Sequence, residues 1–258
     1  MNIEHLRKIA RSGGISRMKK YGNPGTKEGR RLGGLHSAAQ HSKKPSGFKT
    51  LQIFKKPKQS EDLAELLGIL FGDGHLSYYQ ASITTNSDTD KEHILFVKKL
   101  IERLFRVKVN IRKKLYKKAL EAVISSRDIV AYFEKLGMPA GNKLKNGLQT
   151  PSWILRSPTY RKGFIRGLYD TDGCLYLDSH RIKDKDYRYI GWTITSYAGT
   201  LRNDIVGILR EFGLRPTLTD SQKSVYLRKQ ADINKYFKII SSHNLKHLSR
   251  YKKFGGVA

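Results

Sequence analysis

Two stretches of this chain end in the same way, and their repetition limits the folds open to it more than any other feature. Leu66-Leu-Gly-Ile-Leu-Phe-Gly-Asp-Gly74 and Ile165-Arg-Gly-Leu-Tyr-Asp-Thr-Asp-Gly173 are each largely apolar, and each closes on Asp-Gly, with Asp73 and Asp172 lying 99 residues apart. Each opens a matching series. After the first come strand-like Ala81–Thr85, an amphipathic helix over Lys91–Phe105, strand-like segments over 107–118 and 119–126, and a helix over Asp128–Leu136. After the second come strand-like 174–178 and 189–196, a helix over Leu201–Phe212, strand-like 215–220 and 224–229, and a helix over Asp232–Ile240. A repeated helix–strand–strand–helix–strand–strand–helix order predicts a duplicated α+β unit in which each half pairs its strands into an antiparallel sheet behind a leading helix. Asp62, with Glu65 three positions on, reads as the N-cap and capping-box partner of the first leading helix.

The leading helices share small residues at one spacing. Gly68 and Gly72 lie four apart in the first, and Gly167 and Thr171 take the same places in the second. Residues four apart occupy one helix face, so small ones let two helices approach closely. Each interior glycine costs about 1 kcal/mol of helix propensity relative to alanine, and that cost falls at the matching place in both halves. The acids are unusual too. At a helix C-terminus the macrodipole disfavours a carboxylate by about 0.3–1 kcal/mol. A single Asp-Gly is a common turn, but two at equivalent helix ends predict two acids meeting where the helices pack, facing a bound cation.

The charge narrows the partner. Lys and Arg number 50 against 22 Asp and Glu, a formal +28, far beyond the needs of solubility; a polyanion such as nucleic acid is the expected partner. The basic residues run along the whole chain and no long apolar stretch is present, which argues against a membrane. Residues 1–60 carry fifteen of the cations and only Glu4 and Glu28 as acids. With many glycines and few apolar residues, they read as a flexible or partly helical basic arm ending in a linker over Lys43–Ser60, with Arg30 and Arg31 as candidate minor-groove contacts. The expected division is arm 1–60, first half 61–160 and second half 161–258. Cys174 is the one cysteine, which excludes an intrachain disulfide and any multi-cysteine zinc site and suits a reducing compartment. The opening MNIEHLRKIARSGG lacks the apolar core of a secretory signal, so an intracellular location is expected: cytoplasm, nucleoid or organelle matrix.

The two nine-residue segments resemble the motif of the LAGLIDADG homing endonucleases, and Thr150-Pro-Ser-Trp-Ile154 ahead of Gly163-Phe-Ile-Arg-Gly is typical of members with two motifs. The resemblance spans about 61–258. It departs at the sixth motif position, where Phe71 replaces an acid that varies in the family; the eighth-position acids are intact as Asp73 and Asp172. It implies a pseudo-twofold saddle of two sheets over duplex DNA, motif helices packed through Gly68, Gly72, Gly167 and Thr171, and metal held by Asp73 and Asp172 with Gly72 and Thr171 beside them. The implied cofactor is Mg2+, or another divalent cation such as Mn2+, and the implied reaction is cleavage of a long asymmetric DNA target that leaves short 3′ overhangs, by a monomer without an obligate protein partner. Lys143 and Lys246 occupy the places of the family's site lysines, with Lys145 a rival to Lys143. Sheet positions implied to read the major groove lie within Ser77–Thr85, Asn110–Lys118, Asp178–Thr195 and Thr217–Arg228, and include Tyr78, Tyr79, Arg112, Lys113, Arg181, Lys183, Tyr187, Arg188, Tyr189 and Arg228.

Two other readings use the same fold: an RNA maturase acting on intron RNA, and a catalytically silent DNA-binding regulator. An intein is not expected, because Met1 and Val257-Ala258 supply neither the terminal nucleophile nor the terminal Asn that protein splicing needs. His243 and His247, four apart, could share a helix face as zinc ligands, but no third nitrogen or sulfur ligand is near in sequence, and surface histidines are the expectation. His75, directly after the first acid, could meet DNA or water. Trp153 and Trp192 are expected in the core.

Overall fold

The computed structural model describes residues 3–23, 25–43, 54–143, 145–218 and 223–255, in two compact units, Met1–Gln52 and Ile53–Ala258. The first unit holds two helices, α1 (Ile3–Tyr21) and α2 (Lys27–Lys43). Their join explains why helices form in so glycine-rich a segment. Gly22 takes φ +75 after α1, the left-handed conformation that ends helices at low cost to glycine. Thr26 then caps α2 by accepting the Gly29 N–H at 3.0 Å. The linker expected over Lys43–Ser60 falls partly outside the described residues. Its last part is not a linker: Phe54 packs near Phe105 and Tyr132, and Tyr132 donates its hydroxyl to the Pro57 carbonyl at 2.8 Å. This segment belongs to the second unit.

In that unit the helix α3 (Glu61–Asp73) leads the first half and α7 (Pro158–Asp172) the second. Ser60, not Asp62, caps α3, accepting the Leu63 N–H at 3.2 Å. Asp62 instead pairs with Arg103 at 2.7 Å, and Glu65 is turned away from the helix start and buried. Leu63 to Phe71 are buried without a break, as in a helix packed on all sides. Pro158 sits in the first turn of α7, where its missing N–H costs nothing.

Behind each leading helix lies a four-stranded antiparallel sheet. The first contains β1 (Gly74–Leu76), β2 (Gln80–Asn86), β3 (Asn110–Lys113) and β4 (Ala119–Ser125) in the order β1-β2-β4-β3. The second contains β5 (Gly173–Ile182), β6 (Lys185–Thr195), β7 (Thr217–Leu218) and β8 (Ser224–Leu227) in the equivalent order β5-β6-β8-β7. Between strands run α4 (Lys91–Phe105), α5 (Arg127–Lys135), the short α6 (Ser152–Leu155) and α8 (Gly199–Glu211), and α9 (Gln230–Ile239) and α10 (Leu245–Gly255) follow the last strand. The duplicated α+β order expected from the sequence is the order observed. β5 and β6 run longer than their apolar segments, pairing from Gly173↔Ile194 to Ile182↔Lys185, and α10 had no counterpart in the sequence reading. One face of each sheet covers the core. Ile83, Ala122 and Ile124 are buried in the first, and Trp192, Ile194, Val225 and Leu227 in the second. Trp192 stacks on Tyr169 of α7 with centroids 5.0 Å apart, and Trp153 is buried with its indole N–H on the Leu136 carbonyl at 3.1 Å; both tryptophans are core residues, as expected. Among the described residues no helix is long and apolar enough to cross a membrane.

Candidate metal centre and nucleic-acid interface

The contact between α3 and α7 leaves no room for side chains at its centre. A Cβ added to Gly68 would overlap the Phe164 carbonyl, one on Gly167 the Glu65 carbonyl, one on Gly163 the Glu61 carbonyl, and one on Gly72 the Thr171 hydroxyl. The helices meet backbone to backbone, so their C-terminal residues are brought together. An ideal Cβ at Gly72 would stand 3.3 Å from the Asp172 carboxyl carbon, which sets that carboxyl beside the residue preceding Asp73.

Two half-buried acids at one place cannot both ionise freely. Burial, then the neighbouring Asp172 carboxylate, push the Asp73 carboxyl up to about 7, against the pull of the Lys143 and Lys246 ammoniums. Burial pushes Asp172 up to about 6, opposed by Lys143. Raised carboxylates that face each other suit a cation of hard-oxygen preference. Lys143 lies against this pair. Its ammonium donates to the carbonyls of Gly72 at 2.6 Å, Phe71 at 2.8 Å and Leu70 at 3.3 Å, capping the last turn of α3. The Gly72 carbonyl is therefore already engaged. Lys145 is exposed, with its backbone N–H on Asn142. Lys246 is held differently: its ammonium pairs with Asp90 at the start of α4, 2.8 Å away.

Sequence reasoning missed the polar network beneath these acids. Glu65 of α3 and Arg166 of α7 form a two-point pair, with the guanidinium Nε and Nη2 at 3.0 and 2.7 Å from Oε2, and Nη2 also reaches Glu61 at 2.7 Å. The other Glu65 oxygen lies 2.5 Å from His243 Nδ1. Asp170, fully buried, accepts the Ser242 hydroxyl at 2.5 Å and the His243 backbone N–H at 2.9 Å. Asn244 ties Asp90 to the Asp170 carbonyl through its amide, at 2.7 and 3.0 Å. The signal that could have found this network was a Glu inside one apolar helix and an Arg inside its duplicate, since buried charges are stable only when paired. The expectation of surface histidines fails for His247, which is buried against Tyr169 with ring centroids 4.6 Å apart. His243 and His247 face different neighbours and do not form a pair.

The sheet faces turned away from the core are polar. By register, His75 and Ser82 share the outer face of the first sheet with Asn110 and with a buried Val123, and Thr84 and Glu121 share it with Arg112. In the second sheet the equivalent face carries Cys174 and Thr193, Asp178 and Tyr189, and Thr217 and Tyr226. Arg228 continues this face, its guanidinium 4.8 Å from the Tyr226 ring centre. Of the expected base readers, Arg112, Tyr189 and Arg228 thus lie on open faces, and Arg112 is tied to Glu121 at 3.2 Å. Lys113, Arg181 and Arg188 alternate onto the opposite side. Lys183 sits in the β5–β6 turn at φ 45. Tyr78 and Tyr79 are exposed in the β1–β2 turn, with Arg127 over the Tyr78 ring at 4.6 Å. Tyr187 lies in β6, but its side chain falls outside the described residues. Arg30 is exposed in α2 and Arg31 pairs with Glu28 at 2.7 Å.

Comparison with known proteins places this geometry in context. Residues 159–252 match the family profile of the LAGLIDADG-like domain. Among curated proteins, the tRNA-splicing ligase RtcB of Methanopyrus kandleri is 29% identical over 187 residues, 63% of this chain but 18% of that protein. The chain spans about a fifth of the length of the curated tRNA-splicing ligases it matches. Among solved structures, the I-LtrWI LAGLIDADG homing endonuclease bound to target DNA aligns with a TM-score of 0.53 at 14% identity, covering 76% of this chain and 89% of that one. I-DmoI in complex with DNA and Mn aligns at 0.48 with 22% identity, covering 70% and 96%. Residues 159–252 thus match a LAGLIDADG-like domain, and the chain has the duplicated two-sheet fold seen in the I-LtrWI LAGLIDADG homing endonuclease.

Proposed function

We propose that this protein is a site-specific endonuclease that cleaves double-stranded DNA by divalent-metal-assisted hydrolysis. The observation that carries the reading is the meeting of Asp73 and Asp172 at the ends of two helices packed without intervening side chains, each acid held up in pKa by burial. Asp73 and Asp172 would hold the cation. When bound, Mg2+ or Mn2+ supplies an acidified water and neutralises phosphate charge. The chain's own residues do the rest. The α3–α7 contact fixes the spacing of the acids, and the Lys143 and Lys246 ammoniums add positive charge where a scissile phosphate would lie. The polar sheet faces present hydrogen-bonding side chains to base edges in a major groove. The formal +28 draws the duplex in, and the basic unit of α1 and α2 adds phosphate contacts of its own.

The test is incubation with a randomised duplex library and Mg2+, followed by sequencing of the ends. The expected result is one family of long asymmetric sites cut with short 3′ overhangs, and loss of cutting but not of binding in Asp73→Asn and Asp172→Asn. Equal cutting by both variants would remove the assigned acids. A wild-type protein that binds duplex DNA in a salt-dependent way but never cuts would refute the nuclease reading.

A further inference from the structure

A second cluster of ligand-type side chains lies apart from Asp73 and Asp172. Glu65 on α3, Asp170 on α7 and His243 in the segment before α10 each offer a ligand atom, and the three atoms lie within 4.8 Å of one another. A fourth group faces them. His93 of α4 is 1% exposed, both of its ring nitrogens lack a hydrogen-bond partner, and its Nε2 is 3.9 Å from an Asp170 oxygen. Leaving a buried polar atom unpaired forfeits its hydration with nothing in return, so a nitrogen aimed at a carboxylate without bonding to it calls for something between them.

We propose that Glu65, His93, Asp170 and His243 form a structural site for a zinc-type divalent cation that clamps the two halves together. Two imidazoles and two carboxylates match the ligand chemistry and number of tetrahedral zinc, whereas Mg2+ takes oxygen ligands almost alone. Zinc bonds of about 2.0–2.1 Å put tetrahedral ligand atoms roughly 3.3 Å apart. The Glu65–His243 separation of 2.5 Å must open and the His93–Asp170 separation of 3.9 Å must close, each by less than about 1 Å. His243 is the half-exposed member and can make that adjustment. The supporting shell is in place: Arg166 fixes Glu65 through Oε2 and leaves Oε1 turned to His243, and Ser242 and the His243 N–H orient Asp170. Bound in this way, His243 coordinates through an unprotonated Nδ1 and carries its ring proton on Nε2. The ligands come from α3 and α4 of the first half and from α7 and residue 243 of the second, so the cation would cross-link the duplicated units.

The experiment is titration of the metal-stripped full chain with Co2+, read as the visible absorption of tetrahedral cobalt, together with metal analysis of the protein as purified and melting with and without Zn2+. A single tetrahedral band set is expected, displaced by Zn2+ and accompanied by a rise in Tm. It should be lost in His243→Ala and His93→Asn, and kept in Asp73→Asn with Asp172→Asn. Should His93→Asn fail to fold, His243→Ala, at a half-exposed position, still decides. Absence of a tetrahedral spectrum, its survival in His243→Ala, or its loss in the Asp73 and Asp172 variants would overturn the proposal. None of these outcomes bears on DNA cleavage, which rests on the other acids.

Discussion

Replacing Gly68 and Gly207 by alanine separates intrinsic helix propensity from the demands of the α3–α7 contact. Both glycines lie inside helices, and alanine gains about 1 kcal/mol of propensity at either. At Gly207 in α8 a new Cβ meets nothing within 4 Å, so the gain stands. At Gly68 it overlaps the Phe164 carbonyl oxygen and comes within 3.0 Å of the Leu168 nitrogen. Both obstacles are backbone, so no rotamer change relieves them and the helices must separate. Overpacking of this kind costs up to about 3 kcal/mol, leaving a net loss of about 2 after the propensity gain. For a protein of this size about 1 kcal/mol moves Tm by roughly 2–4 °C. Gly207→Ala is therefore expected to melt about 2–4 °C higher than the wild type, and Gly68→Ala about 4–8 °C lower. Calorimetry or thermal circular dichroism in metal-free buffer measures both. If Gly68→Ala melts as high as Gly207→Ala, the two helices are not in backbone contact, and the geometry that brings Asp73 to Asp172 falls with it.

Three further outcomes follow from the site and its supports. The carboxyls of Asp73 and Asp172, at about 7 and 6 against an ordinary 3.8, favour the protonated folded state; the stability they contribute is full below about pH 4 and lost as pH rises through 6 and 7. Metal-free wild type should thus lose Tm relative to Asp73→Asn between about pH 4 and 7, the span from the ordinary to the raised carboxyl value, and Mg2+ should restore more Tm at the alkaline end; parallel pH curves for the two proteins would contradict this. Lys143→Ala removes three contacts to the end of α3 and should slow single-turnover cleavage more than it weakens DNA binding, with a stability loss of about 1.5–3 kcal/mol for a charged hydrogen-bond donor; an unchanged rate with lower affinity would make it a phosphate contact only. A chain beginning at residue 53 should keep the wild-type Tm and bind DNA with a shallower salt slope, while one beginning at Ser60 loses Phe54 from beside Phe105 and should melt lower; equal melting of the two would detach residues 54–59 from the core.

The fold was legible where periodicity and duplication reinforced each other. The stripe Ile94, Val97, Ile101 and Leu104 marks α4, its first three members buried and Leu104 partly so, and the apolar runs ending at Asp73 and Asp172 mark the buried paired leading helices. Legibility failed where local signals competed. Asp62 and Ser60 are both good caps, and only the backbone shows that Ser60 accepts the Leu63 N–H. The glycines of α1 and α2 suggested flexibility, yet Gly22 and Thr26 make a defined helix end and helix start around them. β5 and β6 outrun their apolar segments because their outer pairs, such as Ser179↔Arg188 and Arg181↔Asp186, extend beyond the core and carry no hydrophobic alternation. For α10 the spacing of His247, Tyr251 and Phe254 was helical, but its basic composition hid the pattern.

The candidate site divides along the same line. Asp73 and Asp172 could be read from the sequence because duplication repeats a costly choice, an acid at a helix C-terminus, in both halves. The network beneath them could not, because its members come from four places in the chain and only the packing of α3 on α7 unites them. Glu65 shows the difference most clearly. Three positions after Asp62 it mimics a capping-box acid, but the same position faces Gly167 across the helix contact, where the Glu65 carbonyl fills the space that a side chain would need. Its carboxylate is consequently drawn to Arg166 and His243 rather than to its own helix start. A charge embedded in an apolar helix is better read as half of a pair whose other member lies on the helix it packs against. Here the partner, Arg166, stands one residue before the small residue that permits the approach, about 100° around α7 from it, so close packing sets the centre of the contact and charge pairing its flank.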